Sequence, residues 1–355
     1  MTEQLKLKLN DSKATRWGAL VIVAFTMMAA YYVNDVVAPL KTMLETDLAW
    51  SSTDFGFFTG GYSFLNVFFL MLIWGGLILD RFGIRFTGKL ATILMVGGTA
   101  LEYYAMTGLA GADATLFGIN EIFGYKTGVF VAFAGYSIFG VGAEVAGITV
   151  SKIIAKWFKG KELATAMGVR VALARIGSQA GYAVAIPLAR AFGISTPVLL
   201  GLVLLLGGMI AFFIFAVMDK KLDKQMEAAA IAAGTEDEEE KFSFKDVKNI
   251  LVNPGFWLIA LLCVLFYSCV FPFQKFASEL MIIKYGINEN VAGTFAGLPA
   301  LGALILTPVF GGFIDKRGKS ASIMLLGSAM LICVHFIYAI PDINYWLVAI
   351  VLMII

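Results

Sequence analysis

The sequence predicts an all-α membrane protein: a bundle of six spans, a polar linker, and a second, shorter bundle. Three observations carry that prediction. The 355 residues are 59% hydrophobic and only 15% charged, against about 45–50% and about 25% in a soluble domain. Apolar runs of roughly 20 residues, the length a helix needs to cross the hydrocarbon core, recur along the chain. The basic residues fall in every second connection.

On that ruler there are about nine complete spans and the beginning of a tenth. They lie near 17–38, 54–79, 86–107, 128–157, 161–190, 195–218, 255–284, 291–314 and 320–340, with the last starting at Tyr345. Lys6, Lys8, Lys13 and Arg16 precede the first. Arg81, Arg85 and Lys89 sit between or just inside spans two and three, and Lys156, Lys159 and Lys161 between four and five. Lys220, Lys221 and Lys224 follow span six, and Lys316, Arg317 and Lys319 separate eight from nine. The positive-inside rule then makes the N-terminus and every loop after an even span cytoplasmic. A polar N-terminus without a cleaved leader and with helical spans implies, for a bacterial source, the inner membrane as the location.

Between spans six and seven runs "KKLDKQMEAAAIAAGTEDEEEKFSFKDVKNILVNP", with an acidic cluster at Glu236 to Glu240 and a short amphipathic helix expected over 243–252. It reads as a solvated tether and divides the chain into a six-helix bundle over 1–218, a linker over 219–253 and a second bundle over 254–355. Net charge of +2 with scattered basic residues excludes a nucleic-acid partner. Cys263, Cys269 and Cys333 lie in apolar runs without metal-ligand spacing, and no metal site is expected. No nucleophile elbow, P-loop or metal cluster is present, so neither an enzyme nor an ATP-driven pump is expected. No cofactor is expected either, and proton coupling stays open.

The turn after span two, "GGLILDRFGIR", contains Gly76, Asp80, Arg81, Gly83 and Arg85. The turn after span eight, "GGFIDKRGKS", contains Gly311, Asp315, Lys316 and Gly318. Both read Gly-x-x-x-Asp-(Arg/Lys)-x-Gly, at corresponding places, which suggests an internal duplication. The repeated pattern resembles the cytoplasmic signature of the major facilitator superfamily, whose fold has two six-helix halves. The resemblance implies a conformational latch in which Asp80 and Asp315 pair with bases or with helix N-termini across the cytoplasmic seam in one state and release them in another. Superfamily members have about twelve spans. This chain stops inside the tenth, at "YWLVAIVLMII", so the second half reads as incomplete and a non-transporting receptor or scaffold is an alternative function.

Two isolated charges stand out. Glu144 lies 13 residues before the inner end of span four, and Arg175 lies 14 residues into span five. At about 1.5 Å per residue both sit roughly 20 Å from the cytoplasmic face. The short "KGK" turn makes the two spans antiparallel neighbours, so both charges can face one cavity. A charge at the bilayer centre costs about 2.5–3.5 kcal/mol, so the two must pair with each other or face water and substrate. Arginine suits a carboxylate, and glutamate suits an ammonium or a proton.

Other polar groups are weaker candidates. Arg170 lies on a different face of span five, as a second anion contact or a fixed tie between helices. Tyr31, Tyr32, Asn34 and Asp35 near the outer end of span one are placed at the cavity mouth, with capping of the adjacent turn the alternative for Asp35, and Tyr182 on span five joins the candidate binding set. Glu102 and Lys275, near the outer ends of their spans, are expected to snorkel. His335 reads as a packed polar residue. Pro272 is expected to kink span seven, with Phe271, Phe273 and Gln274 beside it as an outer gate.

"KWFKGKELATAMGVRVALARIGS", "FPFQKFASELMIIKYG" and "PVFGGFIDKRGK" resemble something narrower, the major facilitator superfamily domain-containing protein 1 family. That family includes lysosomal dipeptide transporters of animals and has bacterial relatives. The likeness covers most of spans one to nine and is strongest around 142–178. It implies that Glu144 and Arg175 bind the two termini of a dipeptide, as a span-four glutamate and a span-five arginine do in that family. The expected partners are thus a small solute, a dipeptide or similar zwitterion, and the lipid bilayer. Animal members work with a glycosylated accessory protein, but no accessory subunit is predicted here. The alternative within transport is an organic-anion carrier in which Arg170 and Arg175 bind a carboxylate.

Overall fold

A computed structural model describes residues 8–111, 114–233, 250–317 and 320–354. Within them the chain is almost entirely helical, as apolar segments in lipid must be, because no water is present to satisfy a bare backbone. Each expected span meets a helix. Helix α1 is Lys13–Val36, capped by Ser12, whose hydroxyl accepts from the Thr15 amide. A short turn over Ala38–Leu40 leads to α2, Lys41–Asp47. A capping box closes the start of α3, Ser52–Phe68, where the Ser51 hydroxyl accepts from the Asp54 amide and the Asp54 carboxylate accepts from the Ser51 amide.

Span two departs from the expected single helix. The backbone breaks after Phe68, where Leu70 adopts a left-handed conformation (φ 52°), and α4, Met71–Thr107, leaves at 58° to α3. A left-handed non-glycine residue costs about 1–2 kcal/mol. The apolar run around it holds no Gly or Pro that would announce the break. Helix α4 then covers the rest of span two and all of span three, turning at Gly83 (φ 75°, ψ 173°). A side chain would be strained at that φ, which explains why the repeated pattern carries glycine there.

Between α4 and α5 lies an unexpected hairpin, β1 (Glu121–Ile122) against β2 (Tyr125–Lys126), antiparallel, with Phe123 and Gly124 both at positive φ in its two-residue turn. Helix α5 is Thr127–Trp157, α6 is Leu163–Phe192 and α7 is Thr196–Ala233. Expected to end near 218, α7 continues through "DKKLDKQMEAAAIAA", a run of strong helix formers. The acidic cluster lies outside the described residues. So does most of the expected amphipathic helix, of which only 250–252 are described and helical.

The second portion opens with α8, Pro254–Ile283, capped by Asn253 with proline at the first helical position. Span eight arrives in two pieces, α9 (Glu289–Ala296) and α10 (Leu298–Arg317), interrupted at Gly297. Helices α11 (Ser320–Ala339) and α12 (Trp346–Ile354) follow. Among the described residues six helical segments are individually long and apolar enough to cross a membrane, or seven with the bent α3–α4 pair counted as one. Helix α6 is not among them, because Arg170, Arg175, Gln179 and Arg190 make it too polar to count by composition. It is nonetheless 30 residues long and packs along α1.

Helix packing in lipid rests on close van der Waals fit rather than on exclusion of water, so small residues sit at the crossings. Gly177 and Gly181 of α6 lie against the α1 backbone: a Cβ at Gly177 would stand 2.1 Å from the Met28 carbonyl oxygen, and one at Gly181 2.8 Å from that of Tyr32. Gly293 of α9 meets α6 just as tightly, 2.2 Å from the Tyr182 carbonyl oxygen. The two portions touch through α6 with α9 and α10, and through α8 with the 38–40 turn and α2. These contacts gather at the end of the bundle away from the N-terminus.

Candidate functional site

The expected pair of charges does not form an ion pair. Glu144 on α5 accepts a hydrogen bond from the Tyr62 hydroxyl of α3 at 2.8 Å. Arg175 on α6 makes no hydrogen bond or ion pair with the described residues. Both side chains are half-buried. Tyr31 of α1 lies within electrostatic reach of Arg175, Glu144, Arg170 and Asp35 and makes no hydrogen bond of its own among the described residues. Four helices thus bring an acid and a base to one region at mid-bundle without letting them neutralise each other. Leaving two charges in this setting is costly unless something of opposite sign answers each.

Arg170 is not part of that pair. Its guanidinium donates to the Ser151 hydroxyl at 2.6 Å and to the Gly147 carbonyl at 3.0 Å, which makes it the tie between α5 and α6 rather than an open anion contact.

Of the residues assigned to the cavity mouth, Asn34 and Asp35 lie instead inside a closed seam, while the Tyr32 hydroxyl donates to the Pro197 carbonyl at 3.2 Å within the first portion. Asn34 donates to the Asp35 carboxylate at 2.8 Å, and Tyr136 of α5 donates to the Asn34 carbonyl at 2.7 Å. Lys275 of α8 reaches across the seam, donating to the same carbonyl at 2.5 Å, with the Asp35 carboxylate at 3.5 Å. Its side chain is 14% exposed, so it points inward rather than snorkelling. Glu102 of α4 is likewise fully buried, with neither carboxyl oxygen hydrogen-bonded among the described residues. Tyr182 donates to the Gln274 carbonyl at 3.1 Å, a second tie across the seam. A cavity with room for about one water lies here, lined by Asp35, Arg175, Ser178, Tyr182, Gln274 and Gly297. Farther out, Lys41 pairs with Glu279 at 2.5 Å, and Arg190 pairs with Glu289.

Pro272 lies within an unbroken α8, and its ring is exposed. Phe271 stacks on Tyr267, and Phe273 packs edge-on against His335. The seam is closed by Gln274 and Lys275, the two polar residues next along the chain. His335 bonds only to the Leu331 carbonyl one turn back, a packed polar residue.

At the other end, every ion pair among the described residues lies within the first portion. Asp80 accepts from Lys152 of α5 at 2.9 Å, and Arg81 lies over the Phe82 ring. Arg85 and Lys156 both pair with Asp219 and Asp223, and Asp219, fully buried, also accepts from the Trp157 indole at 3.0 Å. The latch aspartate is therefore engaged inside its own half, without crossing the seam. Gly76 has open space where a Cβ would sit; the close approach belongs to Gly75, whose Cβ would meet Val145 at 2.5 Å. Gly311, Asp315 and Lys316 belong to the last turns of α10, and Gly318 lies outside the described residues. Arg16 binds Glu162 at 2.7 Å and holds its carboxyl below the usual range, and Lys161 does the same to Asp11.

The seam is closed at one end and, among the described residues, crossed by no ion pair at the other, with Glu144 and Arg175 unpaired between. The sequence profile of the Major Facilitator Superfamily matches residues 19–355. The chain belongs to that superfamily. It is a multi-pass integral membrane protein and a transporter rather than an enzyme. The lysosomal dipeptide transporter MFSD1 of Homo sapiens is 26% identical over 348 residues, covering 94% of this chain and 68% of the relative. That of Gallus gallus is 30% identical over 226 residues, 60% of this chain and 49% of its own. Among solved structures, the xylose transporter XylE of E. coli in a partially occluded inward-open conformation gives a TM-score of 0.63 at 16% identity, covering 96% of this chain and 83% of that one. A bacterial homologue of the human lysosomal transporter Spinster, inward-facing and occupied, gives 0.61 at 16%, covering 97% and 73%. These structural likenesses are likenesses of fold.

Proposed function

We propose that this superfamily transporter carries small zwitterions, dipeptides foremost, by alternating access, with Glu144 taking the solute's ammonium and Arg175 its carboxylate. The observation that carries the reading is that the two charges share one mid-bundle region yet do not pair. Tyr62 orients the Glu144 carboxylate, and the Arg175 fork is left for a ligand that can accept two parallel hydrogen bonds. The dipeptide transporter relatives agree with such a solute. With the basic end cytoplasmic, as the positive-inside rule has it, the closed seam faces outward and this conformation is the inward-facing one, in a bacterial inner membrane.

Uptake into proteoliposomes of a dipeptide, a free amino acid and a dicarboxylate tests the reading. Dipeptide uptake that Arg175→Ala and Glu144→Gln both abolish is expected. Uptake of the dicarboxylate alone, lost only in Arg175→Ala, replaces it with an organic-anion carrier. A pH jump during the same assay decides whether protons move with the solute.

A further inference from the structure

The surroundings of the Lys275 ammonium have a composition that the solute site does not explain. The group sits among the Asn34 carbonyl at 2.5 Å, the Tyr136 hydroxyl at 3.2 Å, the Asp35 carboxylate at 3.5 Å and the Tyr136 ring at 5.7 Å. A carbonyl, a carboxylate, a hydroxyl and an aromatic face are what a primary ammonium needs once it leaves water. Every one of those partners belongs to α1 or α5, in the first portion of the chain. The ammonium alone comes from the second portion, on α8. Glu102 of α4 is fully buried, and neither of its carboxyl oxygens finds a hydrogen-bond partner among the described residues.

We propose that Asn34, Asp35 and Tyr136 form a preformed binding site for a primary alkylammonium group, which Lys275 occupies as a tethered ligand in this conformation. Asp35 supplies the charge, the Asn34 carbonyl and the Tyr136 hydroxyl fix the direction of the N–H groups, and the Tyr136 ring covers the cation. The cage does not depend on the lysine for its shape, because Tyr136 and the Asn34 amide hold Asn34 and Asp35 in place from within the first portion. When the seam parts, Lys275 must leave with α8, and the cage is then open at the same end of the bundle for the amino group of an arriving solute. Closure returns Lys275 and displaces that amino group toward the middle of the bundle, where Glu144 lies. The site takes any primary amine, so it stands or falls independently of whether the solute is a dipeptide.

Truncation of the lysine exposes the site without any need to open the seam. The lysine side chain is itself a butylammonium group, of which Lys275→Ala removes everything beyond Cβ, so n-butylammonium chloride is the probe. Thermal unfolding of purified Lys275→Ala is measured with butylammonium, with sodium butyrate and with sodium chloride at equal ionic strength. Lys275→Ser serves as a second truncation. A rise of a few degrees with butylammonium alone, absent in wild type and in Asp35→Asn/Lys275→Ala, is expected, because only the folded cage binds the ion. An equal rise in wild type or in the double variant, or none in either truncation, overturns the proposal. If neither truncation folds, inhibition of wild-type solute uptake by butylammonium carries the test. Inhibition that Asp35→Asn relieves supports the site, and inhibition unaffected by Asp35→Asn, or none, overturns it.

Discussion

Glu144 and Arg175 were legible because a lone acid and a lone base in a 20-residue apolar run need a reason to be there. Their partners were not. Tyr62 and Tyr136 are two aromatics among many, and nothing in a linear sequence says which hydroxyl finds a carboxylate on another helix. Glu102 and Lys275 were misjudged by the rule that charges near span ends snorkel. The rule fails here because these side chains face neighbouring helices rather than lipid. At this scale, Tyr62→Phe removes one hydrogen bond to a charged group, worth about 1.5–3 kcal/mol. Solute affinity is expected to fall by about ten- to a hundredfold, readable as a raised KM, with folding unaffected. Asp219→Ala leaves Lys156 and the Trp157 indole without their buried acceptor. A loss of about 3 kcal/mol is expected, seen as a lowered Tm, whereas Asp223→Ala, at a side chain 40% exposed, should cost much less.

Span positions could be read from apolar length, and the turn at Gly83 from the repeated pattern. The break at Leu70 could not, since "FFLMLIW" carries no punctuating residue. The run of α7 past 218 was hidden because its polar composition resembles a tether, although its residues favour helix and Asp219 and Asp223 anchor it. Two glycine contacts make separable predictions. Gly177→Ala pushes a Cβ into the α1 backbone inside the first bundle, so expression and Tm are expected to collapse. Gly293→Ala pushes against Tyr182 across the seam, so folding of each portion should survive while closure is lost. That outcome is read as faster labelling of Lys275 by an amine reagent. At the basic end, Arg16–Glu162 and Lys161–Asp11 tie the start of α1 to the α5–α6 turn. Both carboxyls titrate below their ordinary values, so their contribution is complete above the usual carboxylate range and fades as pH falls through the lowered values. Tm is expected to drop on acidification below about pH 4, less steeply in Glu162→Gln.

For the whole molecule, composition and charge alternation established a membrane bundle, and the doubled Gly-x-x-x-Asp pattern pointed to the superfamily that the profile match then showed. What the sequence could not show is which state the chain occupies. That depends on pairs between residues as distant as Asp35 and Lys275 or Lys41 and Glu279, all at one end, with Asp80 and Arg85 engaged inside their own half. The arrangement gives the transport account one central requirement, that Glu144 and Arg175 answer opposite ends of one solute. Binding of alanyl-alanine, its N-acetyl derivative and its C-terminal amide to wild type, Glu144→Gln and Arg175→Ala tests it most directly. The account predicts that acetylation weakens binding in wild type and Arg175→Ala but costs nothing further in Glu144→Gln, and that amidation shows the converse pattern. Equal penalties for both modifications in both variants would contradict it.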